Sequence, residues 1–453
     1  MRTVQLSLAV LAALALTGCL DDHSGPEDQW LNTDAYVAPE GGVRDAGTQP
    51  QGCTDAGPSF AAPVQVSTDP GADAGPGPTV AQSDVALVAT DSGARLVAWV
   101  ARSLMELGAA RLHVAPVSAT AAPGADVVPP SPAACGALVQ PALGVTGAGT
   151  VVLAAICVGG TEQAPTSTDI LLYRSTDGGA TFGDASTVVQ CPAEAWRCAH
   201  PTLAASGATV HLAWADEDLV AGVVSAGRVL MLTSTDDGVT FAPDGRRVPD
   251  AFADVAAPRL IYDAAGALHV AYAGLSSIGG TSYAAYSGLA GGATDFAEAQ
   301  NLGPGATPDL LATADAVLVA WAAGGYVMES HASVGGAFSP PLPVDMSLGA
   351  TAVLGPALTQ TERGVHVLWL AEVEGTWRTV YTGSGDLATW SAPVTVAGPF
   401  DGSADGSLNP LHRLGQPALA AGSAGVLAAW ADPGTTDPVT NASNVFVAEL
   451  ACP

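Results

Sequence analysis

Lysine is absent from this chain of 453 residues, and its 14 basic residues are all arginine. Against them stand 43 acidic residues, for a formal net charge of −29. Nucleic-acid binding depends on Lys and Arg neutralising phosphates, so this field excludes a nucleic-acid partner. It suits a soluble acidic surface, or attraction of cations and basic partners. Beyond the first twenty residues no apolar run approaches the ~18–20 residues that a membrane span needs. Gly-x-Ser-x-Gly, His-Glu-x-x-His and phosphate-loop patterns are missing, as are Cys-x-x-Cys and Cys/His clusters of the kind that hold zinc. No metal and no cofactor is expected.

What the chain does have is small apolar residues and turn formers. Hydrophobic residues make up 48%, with 53 Gly and 33 Pro, enough for a large core interrupted at turn frequency. The N-terminus reads Met1-Arg-Thr-Val-Gln, then an apolar stretch from Leu6 to Leu16, then Leu16-Thr-Gly-Cys19. The stretch is too short to span a membrane and is followed by small residues, as a cleaved leader requires. Leu-Thr-Gly-Cys resembles the lipobox of bacterial lipoproteins. That resemblance implies removal of residues 1–18 and a lipid on Cys19, which would hold the protein to a membrane. Leu20 after the cysteine then favours the outer membrane of a Gram-negative cell. The alternative is a plain secretory leader with an incidental cysteine. Residues 19–58 carry few aliphatics and cannot offset their ordering entropy, so they read as a flexible tether. Some 35 residues of such chain hold a domain roughly 30–35 Å from its anchor on average.

From there the sequence repeats. Pro201-Thr-Leu leads to a strand ending in Trp214, Pro258-Arg-Leu to Tyr272, Pro308-Asp-Leu to Trp321, Pro356-Ala-Leu to Trp369 and Pro417-Ala-Leu to Trp430. Pro141-Ala-Leu opens a unit with Ala155 in place of the aromatic, and the first unit has Val85-Ala-Leu-Val and Leu96-Val-Ala-Trp99. These seven starts lie about 48 to 61 residues apart. A period of that size built from four short strands predicts an all-β fold, a β-propeller of seven four-stranded blades spanning residues 59–453. The weak first unit leaves six or eight blades open. The last unit ends after three strands, while Phe60-Ala-Ala-Pro-Val-Gln-Val matches the fourth-strand pattern of Trp390-Ser-Ala-Pro-Val-Thr-Val. Residues 59–67 are therefore expected to complete the last blade and close the ring, leaving no free edge there. In an exported protein the six cysteines after Cys19 allow disulfides. Blade topology suggests Cys53–Cys452 at the closure, Cys191–Cys198 around one inter-blade loop, and Cys135–Cys157 at one end of the second blade.

Two octapeptides, Ser175-Thr-Asp-Gly-Gly-Ala-Thr-Phe182 and Ser234-Thr-Asp-Asp-Gly-Val-Thr-Phe241, share one pattern. Ser384-Gly-Asp-Leu-Ala-Thr-Trp390 is a shortened copy. The chemistry is that of a hairpin. Asp177 and Asp236 accept turn N–H groups, Gly179 and Gly238 supply positive φ, and Ser175, Thr181, Ser234 and Thr240 bond locally. Phe182 and Phe241 pack into the blade. The pattern resembles the Asp box, or BNR repeat, of sialidase-like propellers, and the likeness covers roughly residues 59–453. It implies the fold. For catalysis the family uses three Arg on the substrate carboxylate, a Tyr–Glu nucleophile pair and an Asp acid/base. It also has a Tyr/Phe-Arg-Ile-Pro motif and six blades. Here the nearest relative of that motif is Pro258-Arg-Leu in the fourth unit, and no catalytic set can be assigned.

The candidate ligand face is the one formed by inter-blade loops and by turns between second and third strands, opposite the octapeptides. Arg102, Arg197, Arg246, Arg247, Arg259 and Arg413 are its expected arginines. Arg259 and Asp309 occupy one slot in neighbouring units, and an ion pair lining the channel is expected. Asp216, Glu217, Asp218, Glu372, Glu374 and Asp432 should gather towards one face as a solvated acidic rim, with a Ca²⁺ site built from their oxygens as the alternative, and His200 marks a loop on the candidate face. His211, His269 and His366 share one strand position and are expected to be structural. The function these residues suggest is a monomeric binding or scaffolding module at the cell envelope, for a protein or glycan ligand. The alternative is a sialidase-like glycoside hydrolase.

Overall fold

The computed structural model describes residues 58–67, 80–90, 93–103, 110–161, 164–192, 196–220, 223–243, 245–250, 252, 254–275, 281–400, 416–422, 425–432 and 444–451. The leader, Cys19, the tether up to residue 57, the Cys53–Cys452 pair and Arg413 lie outside them. The described chain is all-β, without a helix, and forms seven sheets arranged as the blades of a propeller. The innermost strands, in order, are Val80–Ala89, Ala137–Val145, Trp196–Ser206, Asp254–Tyr262, Ala306–Ala312, Ala352–Thr361 and Ala418–Gly422. Each touches the innermost strand of the next blade, and the seventh touches the first, so the ring is closed. Blades run outward as antiparallel meanders. In blade 1 three strands form the sheet, and Pro123 and Val127 bridge to its outer edge at Val117 and Val114. In blade 7 the outer partners come from the other end of the chain: Ser59 pairs with Ala451, Phe60 with Leu450, Val64 with Val447 and Gln65 with Phe446.

Second strands explain why the apolar runs lack strict alternation. A blade interior is covered on both faces by neighbouring blades, so both sides of its central strands must be apolar. Val151 to Val158 is accordingly buried at every position. The strand-two aromatics Trp99, Trp214, Tyr272, Trp321, Trp369 and Trp430 are all buried. Two of them also reach back to the end of the preceding blade: Tyr272 OH donates to Pro249 O at 2.8 Å and Trp321 Nε1 to Pro304 O at 2.9 Å. Gly305, with φ +141°, sits where a Cβ would fall 2.3 Å from Trp321 Cδ1, so only glycine lets that indole lie against the incoming strand. The core is divided into wedges between adjacent blades. One joins Val97 and Trp99 of blade 1 to Leu427 and Val445 of blade 7, and another joins Leu368 and Tyr381 of blade 6 to Trp430 of blade 7.

The octapeptides add inter-blade ties. In each, the Asp accepts from the Thr N–H (2.9 and 2.8 Å) and Thr hydroxyl (2.6 and 2.7 Å), and the Ser hydroxyl accepts the Gly N–H (2.8 and 3.0 Å). These bonds hold both Asp177 and Asp236 at about 2, below the usual carboxylate range, the Thr hydroxyl contributing most. A Cβ on Gly179 would fall 2.7 Å from Leu96 of blade 1, and Arg174 of blade 2 donates to Asp237 O of blade 3 at 2.8 Å. The turn therefore packs on its neighbour as well as closing its own hairpin.

The junction between blades 7 and 1 carries a buried ion pair. Arg95 is fully buried and forks onto Glu449, with Nη1 and Nη2 each 3.1 Å from a carboxylate oxygen. Removing one partner of such a pair strands the other charge, at about 3–5 kcal/mol, while replacing both by apolar groups is close to neutral. Arg95→Met is therefore expected to lose about that much in urea unfolding, and Arg95→Met with Glu449→Met to regain most of it. An Arg95→Met protein within 0.5 kcal/mol of the parent, roughly the level of a surface substitution, would refute this.

Candidate functional site

The channel is built by one irregularity repeated around the ring. Six innermost strands lose register with their second strand at the same place: between Ser83 and Ala86, Val139 and Ala142, Ala199 and Thr202, Ala256 and Arg259, Ala306 and Asp309, and Leu354 and Ala357. At each bulge one residue has positive φ: Asp84, Gln140 and His200 at 54°, Ala257, Thr307 and Gly355 at 48°. In five of the six the next residue is proline, which has no N–H to give to the ladder. In three of the six the bulge residue's own N–H leaves its sheet and is taken up by the preceding blade. Gln140 N donates to Asp84 Oδ2 (3.2 Å), His200 N to Gln140 Oε1 (2.6 Å) and Gly355 N to Thr307 Oγ1 (3.3 Å). His200 thus belongs to an inter-blade belt. Asp84 is buried and also pairs with Arg102 at 3.3 Å.

Two residues beyond the bulge position is the slot of Arg259 and Asp309. Around the ring it holds Ala86, Ala142, Thr202, Arg259, Asp309, Ala357 and Ala418. Among such small residues the arginine has room to extend. Its Nε lies 3.6 Å from Asp309 Oδ1, giving the expected ion pair, and its Nη2 donates to Gln416 Oε1 of blade 7 at 2.6 Å. Blade 7 is three blades away, so the guanidinium bars the channel from side to side. Burial pulls it below the ordinary arginine value, against the opposing effect of Asp309. Asp309 is itself held by Leu358 N at 2.7 Å.

The densest charge on the candidate face sits where blades 3 and 4 meet. Arg197 Nε donates to Glu217 Oε2 at 2.7 Å, with Nη2 on the same oxygen. Arg228 Nε donates to Asp216 Oδ2 at 2.7 Å, and its Nη2 lies 3.5 Å from Asp218 Oδ1. Asp216 and Glu217 are 6% and 4% exposed, which corrects the expected solvated rim. The cross-strand register sets Asp216 opposite Arg228 and Glu217 opposite Arg197, so each carboxylate meets its own arginine instead of water. Burial pushes the Glu217 carboxyl up, opposed by Arg197. Asp254, which sequence reasoning missed, is also raised by burial. Its Oδ1 lies where a Cβ on Gly227 would be, 2.3 Å away, so the glycine makes room for it. No repeat pattern marks Asp254, because it lies before the bulge in a variable approach segment.

The remaining candidates do not join this cluster. Glu372, in blade 6, accepts from Thr351 Oγ1 at 2.8 Å. Asp432 ends the second strand of blade 7, and its side chain is outside the described residues. Arg246 and Arg247 are a correction: they form the outermost strand of blade 3, opposite Met231 and Leu230, far from the channel in strand order. They come after an octapeptide, and the chain there is at the blade's outer edge. Disulfides join Cys135 to Cys157 and Cys191 to Cys198. The second lies beside Asp216, with ligand atoms of all three residues within 4.8 Å, but its sulfurs are bonded to each other and are not thiolate ligands.

The three repeated histidines point into blades. His211 Nδ1 meets Thr233 Oγ1 at 2.9 Å, His269 Nδ1 meets Tyr286 OH at 2.6 Å and His366 Nδ1 meets Tyr381 OH at 2.7 Å. Each bonds a third-strand hydroxyl of its own blade, so they do not converge on one site.

Comparison with solved structures places this geometry in a known fold. The Hadza microbial sialidase Hz136 superposes with a TM-score of 0.51 at 14% identity, over 78% of this chain and 76% of that one. A protein of unknown function from Dyadobacter fermentans DSM 18053 gives 0.52 at 12% identity, over 82% and 96%. At such identities the likeness is one of fold. No protein-family model matches the chain, and no curated protein does.

Burial holds His211 and His366 at about 4, so both are neutral near pH 7. The unfolded chain, with histidines near 6.5, binds more protons than the folded one between those values, and stability must fall as pH drops through that window. Each histidine accounts for roughly 3 kcal/mol by the bottom of it. Glu217 and Asp254, being raised, act in the opposite sense. Denaturant midpoints from pH 7 to 4 should therefore fall steeply, and His211→Gln with His366→Gln should flatten the curve. Parallel curves for variant and parent would count against it.

Proposed function

We propose that this chain is exported, lipidated on Cys19, and serves as a binding or scaffolding module at the cell envelope, most simply the outer membrane of a Gram-negative bacterium. Leu16-Thr-Gly-Cys19 supports the anchor, and the tether composition supports a domain held off the membrane. One observation carries the choice of binding over chemistry. Four arginines of the candidate face are each committed to a carboxylate: Arg102 to Asp84, Arg197 to Glu217, Arg228 to Asp216 and Arg259 to Asp309. Arg111 and Arg378, which hold the strand position of Arg228 in blades 1 and 6, face alanines across the strand instead. Guanidiniums neutralised within the protein brace a surface; a carboxylate substrate needs them converging and open. A rigid, acidic, disulfide-pinned face suits a protein or glycan ligand held by shape and hydrogen bonds, with the propeller as a monomer.

The second reading, a sialidase-like glycoside hydrolase, rests on Arg259. Its Nη1 is buried and has no hydrogen-bond partner among the described residues, and the fold is shared with a sialidase.

One experiment separates them. The purified domain is expected to leave a panel of fluorogenic sialosides uncleaved. Cleavage that is lost in Arg259→Ala, with the melting temperature kept, would establish the hydrolase instead. For the anchor, labelling with an alkyne fatty acid is expected to tag the expressed protein and to disappear in Cys19→Ala; equal labelling of the two would remove it.

A further inference from the structure

The channel has a second mouth, on the face that carries the octapeptides and the turns between first and second strands. The two kinds of turn share that face, as Asp237 N donating to Ala208 O at 2.9 Å makes plain. There the far halves of the innermost strands of blades 1 to 4 surround a cavity of about 420 Å³. Its wall begins one residue beyond the Arg259 slot, with Leu143, Leu203 and Leu260 at equivalent positions, and continues to Val88 and Tyr262. The volume falls within the range of sites that take small molecules.

Three features define what fits. First, no lining side chain carries a charge: the lining residues are glycine or aliphatic apart from Tyr262, Thr146 and Ser206, and more of the surface they turn to the cavity is polar than apolar. In a chain of net charge −29 an anion would have no counter-charge here, and a cation would find no carboxylate to bind. Second, the innermost strands are paired on one side only, so their other edge offers backbone N–H and C=O groups towards the channel. Third, the rim is preformed. Gly147 N donates to Gly207 O at 2.7 Å, tying the turn of blade 2 to that of blade 3, and the Tyr262 ring is held 5.5 Å from His211.

We propose that this mouth binds a small uncharged ligand with an apolar body and a few hydroxyl or amide groups. The polar groups meet the strand edges, and the apolar body lies against the aliphatic side chains between them. The site is distinct from the candidate face and independent of whether that face binds or hydrolyses.

Nile red, a neutral dye, serves as the probe on the purified full chain. Its fluorescence is expected to rise saturably and to be insensitive to salt between 0.05 and 0.5 M, whereas the anionic anilinonaphthalene sulfonate should bind at least ten-fold more weakly. Ala205→Trp and Ala89→Trp, both in the lining, should each weaken Nile red binding ten-fold or more with the melting temperature kept. If one variant fails to fold, the other carries the test. Leu275→Gln removes an exposed apolar side chain from the other face and should leave the dye bound. Absence of saturable binding, binding that survives the folded lining variants, or loss with Leu275→Gln would overturn the proposal.

Discussion

The propeller depends on a bulge repeated in six of its innermost strands and on where the backbone N–H groups it frees find acceptors. At the bulge of six innermost strands the ladder breaks and one residue takes positive φ, and in five of them the proline that follows contributes no donor. A non-glycine residue in that region is uncommon and costs about 1–3 kcal/mol, so it persists only if its surroundings over-determine it. Here the surroundings are the neighbouring blade. The freed N–H of Gln140 reaches Asp84, that of His200 reaches Gln140, and that of Gly355 reaches Thr307. An unpaired buried N–H would be costly, so blades 2, 3 and 6 relieve this irregularity by docking on the blade before them. The same logic recurs further along the strands, where Asp309 takes Leu358 N and Thr359 takes Ala421 N. Local strain and ring assembly are thus one problem with one solution.

Charge obeys a similar rule. With 14 arginines and no lysine, the chain deploys its cations as planar forks that can brace carboxylates across strands and between blades. Arg95 does so at the junction of blades 7 and 1, Arg197 and Arg228 between neighbouring strands of blade 3. The large negative excess therefore lies mostly outside these pairs. The acidic residues expected to form a solvated rim are, at Asp216 and Glu217, part of the framework.

The fold was legible because its signals are periodic. Pro-x-Leu, a strand-two aromatic and an octapeptide recur at intervals that leave few architectures open, and blade 2 is recognisable even with Ala155 in the aromatic slot. The octapeptide's bonding was readable too, since all its partners lie within eight residues. The site was much less legible. Arg259 and Asp309 could be set side by side from the repeat alignment, because they share a slot. Gln416 could not be placed across from Arg259 by the same means, since it belongs to a different slot three blades on. Asp254 had no signal at all: it depends on Gly227 leaving space, and a glycine in a strand says nothing about which side chain will come to fill it. Arg246 and Arg247 were misplaced for the converse reason, as a turn's length decides whether the chain leaving it lies at the channel or at the outer edge.

Function in a ring of similar units has to be sought where the repetition fails. The slot beyond the bulge shows this most clearly. Four of its seven occupants are alanine, which leaves a hollow axis, and a ring of alanines could neither bar the channel nor discriminate between ligands. A single arginine in the fourth unit changes that, spanning the hollow to Gln416 with Asp309 at its side. It bridges the hollow between two mouths of different character. Towards the inter-blade loops lie paired charges, disulfides and a buried carboxylate. Towards the octapeptides lies an uncharged cavity walled by leucines from the same repeat position. One arginine in a slot held mostly by alanine thus sets a charged bridge across the axis, between a mouth of paired charges and a mouth lined by uncharged side chains.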